Sequence, residues 1–171
     1  SLVPSNSFFQ LLNYISLLIV VFIINTIFYT DRHKNRLNLF VSFIGFITSI
    51  IGIIFYLIGN PDILIIKNSF YKNASTSFFI NRTVFAIFLL FSLISSLEVL
   101  RNLHNNINKK KDNFFTKIYI RLFIIFITIG IITSFSRIGN FLFLLTILFY
   151  LFYEIYFSKN KIKSIKYIII L

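Results

Sequence analysis

Long apolar runs separated by short, basic polar segments set the pattern of this chain. A helix crossing the hydrocarbon core of a bilayer needs about 20 mostly apolar residues at 1.5 Å each. Sliding that window along the sequence finds runs at about 8–29, 39–58, 84–100, 118–135 and 138–157, with a further run opening at residue 167. The stretch from 118 to 157 is nearly unbroken apolar sequence. As one helix it would extend about 60 Å, twice the hydrocarbon thickness, so it must turn back near its middle. The turn signals there are Ser134, Ser136, Gly139 and Asn140. The pattern predicts an all-α protein: a polytopic transmembrane helical bundle of five spans plus the start of a sixth, forming one transmembrane domain over 1–171. Gly45, Gly52 and Gly130 are too few to imply helices broken within the membrane. No solenoid repeat, heptad pattern or removable signal peptide is visible.

Composition agrees with lipid as the solvent. Of 171 residues, 57% are hydrophobic and 13% charged, whereas a soluble domain is about 45–50% apolar and 25% charged. The 24 Phe and the abundance of Ile, Asn and Lys look like AT-rich coding, so part of that excess is mutational bias. Cys is absent, which excludes disulfides, thiolate metal sites and cysteine nucleophiles. Met is absent even at position 1, and the chain stops inside an apolar run, Tyr167-Ile-Ile-Ile-Leu171. It reads as a fragment of a longer protein.

The net charge of +12 would suggest a nucleic-acid partner in a soluble protein. The positions of the cations point elsewhere, and no nucleic acid is expected. Twelve of the 17 lie in alternate loops: Arg32, Lys34 and Arg36; then Arg101, Lys109, Lys110, Lys111 and Lys117; then Lys159, Lys161, Lys163 and Lys166. The positive-inside rule places these loops in the cytoplasm, with Ser1 and the 59–83 loop outside. The outer side holds Lys67, Lys72, Arg82 and Arg137, while Arg121 sits one turn into the fourth span.

Most polar residues have structural readings. His33 and His104 lie in basic loops, not in spans where a haem would need them. Glu98 and Glu154 fall near cytoplasmic span ends, within reach of Arg101 and Lys159. Arg82 and Arg137 differ, because topology does not require outward cations. Each stands beside hydroxyl or amide side chains and just before a span. A guanidinium fork suits bidentate phosphate binding, and a helix N-terminus adds N–H donors and a positive dipole. That combination would hold a lipid-linked phosphate or pyrophosphate at the outer leaflet.

At these residues the chain resembles the bacterial O-antigen ligase and O-antigen polymerase group of integral membrane glycosyltransferases. Its members carry Phe-x-Asn-Arg-Asn-x-Phe-Ala entering a span, matched by Phe79-Ile-Asn-Arg-Thr-Val-Phe-Ala86 with Thr83 in place of the second Asn. They also carry Thr-x-Ser-Arg-Gly before an apolar span, matched by Thr133-Ser-Phe-Ser-Arg-Ile-Gly139 with one extra residue after Thr133 and Ile138 intervening before the glycine. The resemblance covers most of this chain but only the middle of a family member. It implies a polyprenyl-diphosphate-linked glycan donor, transferred at the periplasmic face of the inner (cytoplasmic) membrane to lipid A core or to another glycan. By analogy Arg137 and Arg82 are catalytic, stabilising the diphosphate leaving group, and Asn81, Ser136 and Ser134 contact substrate. It implies neither a metal nor another cofactor, and its large periplasmic loop would follow the sixth span.

Two other classes use the same features. A transporter or flippase-type carrier would bind an anionic substrate through these arginines, although no inverted repeat is visible. A subunit of an organelle-type respiratory complex would fit the AT-rich composition alone.

Overall fold

The computed structural model describes residues 11–12, 14–16, 18–19, 22–23, 26, 29–60, 73–105 and 114–157. The sixth span, Lys67, Lys72, the 109–111 lysines and the 158–166 loop lie outside these residues, as does part of the span expected at 8–29. Among the described residues the secondary structure is helical, with no strand. Four helices have defined bounds: α1 Asp31–Ile58, α2 Arg82–Asn105, α3 Phe114–Thr133 and α4 Arg137–Phe157. Three stretches are long and apolar enough to cross a membrane: α1, Arg82–His104 of α2, and α3. Within α4 the apolar stretch Arg137–Tyr153 is shorter.

The chain divides into two compact units, Ser1–Leu37 and Asn38–Leu171. In the first, the described residues from 11 to 26 are helical, and Leu11, Leu18 and Phe22 are exposed. The Thr30 carbonyl accepts the N–H groups of His33 and Lys34 at 3.0 and 3.1 Å, and Asp31 stands in the first turn that follows. A carboxylate there complements the helix dipole, so α1 begins inside the basic segment that hydropathy reads as a loop. Likewise α2 runs on to Asn105 and α3 opens at Phe114, both beyond the apolar windows. Hydropathy marks where lipid ends, whereas long cationic side chains let a helix continue beyond that point.

Along α1 the buried and exposed sets are inverted relative to a helix of a water-soluble bundle. The buried residues of α1 are Ser42, Gly45, Ser49 and Gly52, spaced three and four apart on one face. Its large residues Phe40, Phe43, Ile47 and Ile54 are exposed. The small seam lets backbones approach closely, which is how helices associate when lipid removes the hydrophobic driving force between them. A Cβ added at Gly45 would collide with the Ser92 side chain of α2, and one at Gly52 would lie 2.7 Å from Phe85 Cζ. A Cβ at Gly130 of α3 would meet Leu89 Cδ1 at 2.8 Å and Ser49 Cβ at 3.0 Å.

Hydroxyls in this seam donate to their own helices: Ser42 to the Asn38 carbonyl at 2.7 Å, Ser49 to Phe46 at 2.8 Å, Ser92 to Phe88 at 3.1 Å and Ser96 to Ser92 at 2.8 Å. Each is thereby satisfied where no water reaches it. Between α2 and α3 the core is apolar, with Phe85, Leu89, Leu93 and Leu97 beside Ile120, Ile124, Ile127 and Ile131. Phe46 of α1 stacks on Phe123 of α3 at 4.4 Å.

The end of α1 is a Schellman turn. Gly59 adopts φ 87°, its N–H bonds the Tyr56 carbonyl at 3.2 Å, and the Asn60 N–H bonds the Phe55 carbonyl at 2.7 Å. Gly45→Val is expected to lower unfolding stability by about 1–3 kcal/mol through overpacking. Gly59→Ala, with open space around it, loses only about 1 kcal/mol of backbone strain. Thermal unfolding of the detergent-purified chain checks the ranking, and Ser92→Gly should recover part of the loss in a Gly45→Ala background.

Candidate functional site

The two arginine motifs meet at one end of the helices. Asn81 is the N-cap of α2: its carbonyl accepts the Phe85 N–H at 3.1 Å and its Oδ1 accepts the Thr83 N–H at 2.8 Å. Ser136 plays the same part for α4, its carbonyl accepting the Asn140 N–H at 2.9 Å and its Oγ the Gly139 N–H at 3.1 Å. Arg82 and Arg137 are each the first residue of the helix so capped. Sequence reasoning put them just before spans opening at 84 and 138, and the helices instead begin earlier, at the arginines, because Asn81 and Ser136 hold the first N–H groups and set the helix start at the residue after each cap.

The caps are joined. Ser136 Oγ donates to Thr83 Oγ1 at 3.3 Å, a contact between residues 53 positions apart. The helices come close there because Gly139 abuts Ala86, where a Cβ on the glycine would clash with the Ala86 Cβ. Thus α2 and α4 present their N-termini at one end, each with an arginine in its first turn and no acidic residue there. The positive dipole end of each helix adds to the two guanidinium charges. Arg82 is half-buried, while Asn81 and Arg137 are exposed.

The segment from Asn73 to Ile80 closes this end. Ser75 N–H donates to the Thr133 carbonyl at the end of α3 at 2.9 Å, and Asn60 Nδ2 donates to the Ala74 carbonyl at 2.8 Å. Ala74, Ser75, Thr76 and Ser77 are all buried. Ser77 and Phe135 hold φ near 50°, in the left-handed region, which costs about 1–2 kcal/mol for a residue with a Cβ. Phe135 thereby reverses the chain between α3 and α4, with its ring 6.0 Å from Tyr56.

The structure therefore brings Arg82, Arg137, Asn81 and Ser136 together. Ser134 lies beside them but fully buried, its hydroxyl donating to the Ile131 carbonyl at 2.6 Å and accepting the Ser136 N–H at 3.3 Å. Its hydroxyl is held within the turn. Three participants escaped the sequence reading. Thr83 stood out only as a departure from a motif, yet it is the bridge between caps. Ser75 and Ser77, whose buried Oγ atoms have no hydrogen-bond partner among the described residues, sat in an unremarkable loop. The cue for Thr83 was local: Asn-Arg-Thr before an apolar run is an N-cap signature.

Compared with protein-family models, curated proteins and solved structures, the chain matches none. The site's reading rests on its geometry.

Ser136→Ala removes both the α4 cap and the bridge. It should lower stability by about 1 kcal/mol, the usual worth of an N-cap, and Thr83→Val by less, since Ser136 still caps α4 in that variant. Chemical unfolding of the two variants in detergent tests the order; a larger loss in Thr83→Val would contradict the cap assignment.

Proposed function

We propose that this chain is the central part of an O-antigen ligase/polymerase-like membrane glycosyltransferase. In this reading it is a bundle of five spans and the start of a sixth in the bacterial inner membrane. Ser1 and the capped end face the periplasm. The donor is a polyprenyl-diphosphate-linked glycan and the acceptor is lipid A core or another glycan. The observation that carries the proposal is the Ser136–Thr83 contact, which fixes two arginine-led helix N-termini side by side.

The chemistry needs an anion clamp. An acceptor hydroxyl oxygen attacks the anomeric carbon, the bond from that carbon to the diphosphate oxygen breaks with its electron pair leaving on the diphosphate, and the hydroxyl proton is released to water. Negative charge grows on that oxygen in the transition state, and guanidinium groups with helix N–H donors stabilise it more than they stabilise the ground state. Arg82 and Arg137 take this role. Asn81 and Ser136 hold the two backbones that carry them, while the exposed Asn81 amide also reaches substrate. The unbroken course of α1 through α4 favours this reading over an alternating-access carrier, whose sites are commonly built on interrupted helices.

Arg137→Ala and Arg82→Ala in the full-length protein should leave membrane insertion intact and reduce glycan transfer by about 10²-fold or more each, the scale of losing one transition-state donor. Lysine at either site should restore only part of it, since the bidentate fork is lost. Normal surface polysaccharide in both alanine variants would overturn the proposal. The orientation has its own test, made simpler by the absence of Cys from these 171 residues. A cysteine placed at exposed Asn73 should react with an impermeant maleimide from outside the cell. One at Asn102, near the end of α2, should react only after the membrane is permeabilised.

A further inference from the structure

The bridge between the two caps leaves one hydrogen atom without an acceptor, and that hydrogen belongs to Thr83. Ser136 is 2% exposed, and its Oγ accepts the Gly139 N–H at 3.1 Å and lies 3.3 Å from Thr83 Oγ1. A hydroxyl carries a single hydrogen, and burying that hydrogen with no acceptor costs the full desolvation of a polar group. The Gly139 N–H can only donate, so the Ser136 hydrogen goes to Thr83 Oγ1. The reverse arrangement, Thr83 donating to Ser136, would strand the buried Ser136 hydrogen. Thr83 is half-buried, so its own hydrogen can turn toward the surface without that penalty.

The relay therefore has a direction. It begins at a backbone N–H in the first turn of α4, passes through Ser136 and ends in the Thr83 hydroxyl, whose hydrogen meets no acceptor among the described residues. Each donor in such a chain polarises the next, which makes the last hydrogen a stronger donor than an isolated hydroxyl. The Thr83 N–H is already held by Asn81 Oδ1 at 2.8 Å, so the side chain is what Thr83 has to offer. Thr83 follows Arg82 in α2 and Ser136 precedes Arg137 at the start of α4, which sets this hydroxyl at the contact of the two arginine-led turns. Neither turn carries an acidic residue to receive its hydrogen.

We infer that the Thr83 hydroxyl is a further substrate-binding donor of the outer anion site, donating to a phosphate oxygen of the polyprenyl diphosphate beside the two guanidinium groups. The inference rests on the glycosyltransferase reading of that site and adds a selection rule to it. Guanidinium groups and a hydroxyl whose lone pair is engaged by Ser136 all present hydrogens, so the fitting group accepts without donating and carries negative charge. An ionised phosphate oxygen does both, and hydrogen bonds to it are shorter and stronger than those between neutral groups.

A purely structural Thr83, acting only as a strut between the caps, orders the variants differently. Ser136→Ala removes the strut and the α4 cap but keeps the Thr83 hydroxyl, whereas Thr83→Val removes the strut and the hydroxyl but keeps the cap. The test is isothermal titration calorimetry of the full-length protein in detergent with farnesyl diphosphate, a short polyprenyl diphosphate without a glycan. Thr83→Val should weaken binding about tenfold or more, the scale of one hydrogen bond to a charged group. Ser136→Ala should weaken it less, the reverse of their order in stability, and Thr83→Ser should recover most of the affinity lost in Thr83→Val. Wild-type affinity in Thr83→Val, or a greater loss in Ser136→Ala than in Thr83→Val, would overturn the inference. If Arg82→Ala and Arg137→Ala still lost binding, the glycosyltransferase reading would stand without it. Wild-type affinity in both arginine variants would remove that reading and this inference together.

Discussion

Close backbone approach without interhelical hydrophobic drive is the constraint on which the second unit depends. In lipid, burying a leucine against another helix gains little over leaving it against an acyl chain, so packing must come from surfaces that fit at short range. Four of the five glycines stand where helices touch: Gly45 and Gly52 on α1, Gly130 on α3 and Gly139 on α4. Around them the serines turn their hydroxyls back onto their own carbonyls, which leaves smooth, polar-satisfied surfaces to press together. Phe40, Phe43, Ile47 and Ile54 of α1 are turned outward, while Phe85, Leu89 and Ile127 fill the core against which its small face rests.

The same constraint builds the arginine end. Gly139 against Ala86 brings α2 and α4 close enough for Ser136 to reach Thr83, and that reach fixes the relation of the two N-termini. Fixing it matters because positive charge gathered at one point resists assembly, so the caps must hold geometry that electrostatics alone would spread. The 73–80 segment adds a lid of buried hydroxyls, tied to Thr133 and to Asn60. Non-glycine residues in left-handed conformations at Ser77 and Phe135 show that the surrounding contacts dictate these turns and local preference does not.

Much of this was legible in the residues and some was not. Apolar windows located the helices, because length against bilayer thickness is a strong constraint, and the same arithmetic required the turn near Ser136. Helix ends were less legible. The segments at 30–38 and 101–117 read as loops because windows weigh polarity, yet Thr30 and Asp31 start a helix there and α2 continues through Arg101 to Asn105. The glycines, which a single-helix pattern marks only as breakers, are contact points between helices. Arg82 and Arg137 stood out by their charge in apolar surroundings. Their convergence depended on Thr83 meeting Ser136, a contact between distant positions that neither motif encodes.

The serine–glycine seam of α1 has a property of its own. Ser42 and Gly45 are repeated seven residues later as Ser49 and Gly52, so the seam nearly superposes on itself when slid by about 10 Å along the axis. Packing along such a surface selects a face but leaves its longitudinal register weakly determined. That register is read out at the end of the helix, where the left-handed Gly59 halts the chain, Asn60 grips the Ala74 carbonyl, and Tyr56 and Phe55 lie against Phe135 and Phe78. The terminal turn of α1 is a vernier stop, and the position of the whole helix against its neighbours is set by a few residues at its last turn.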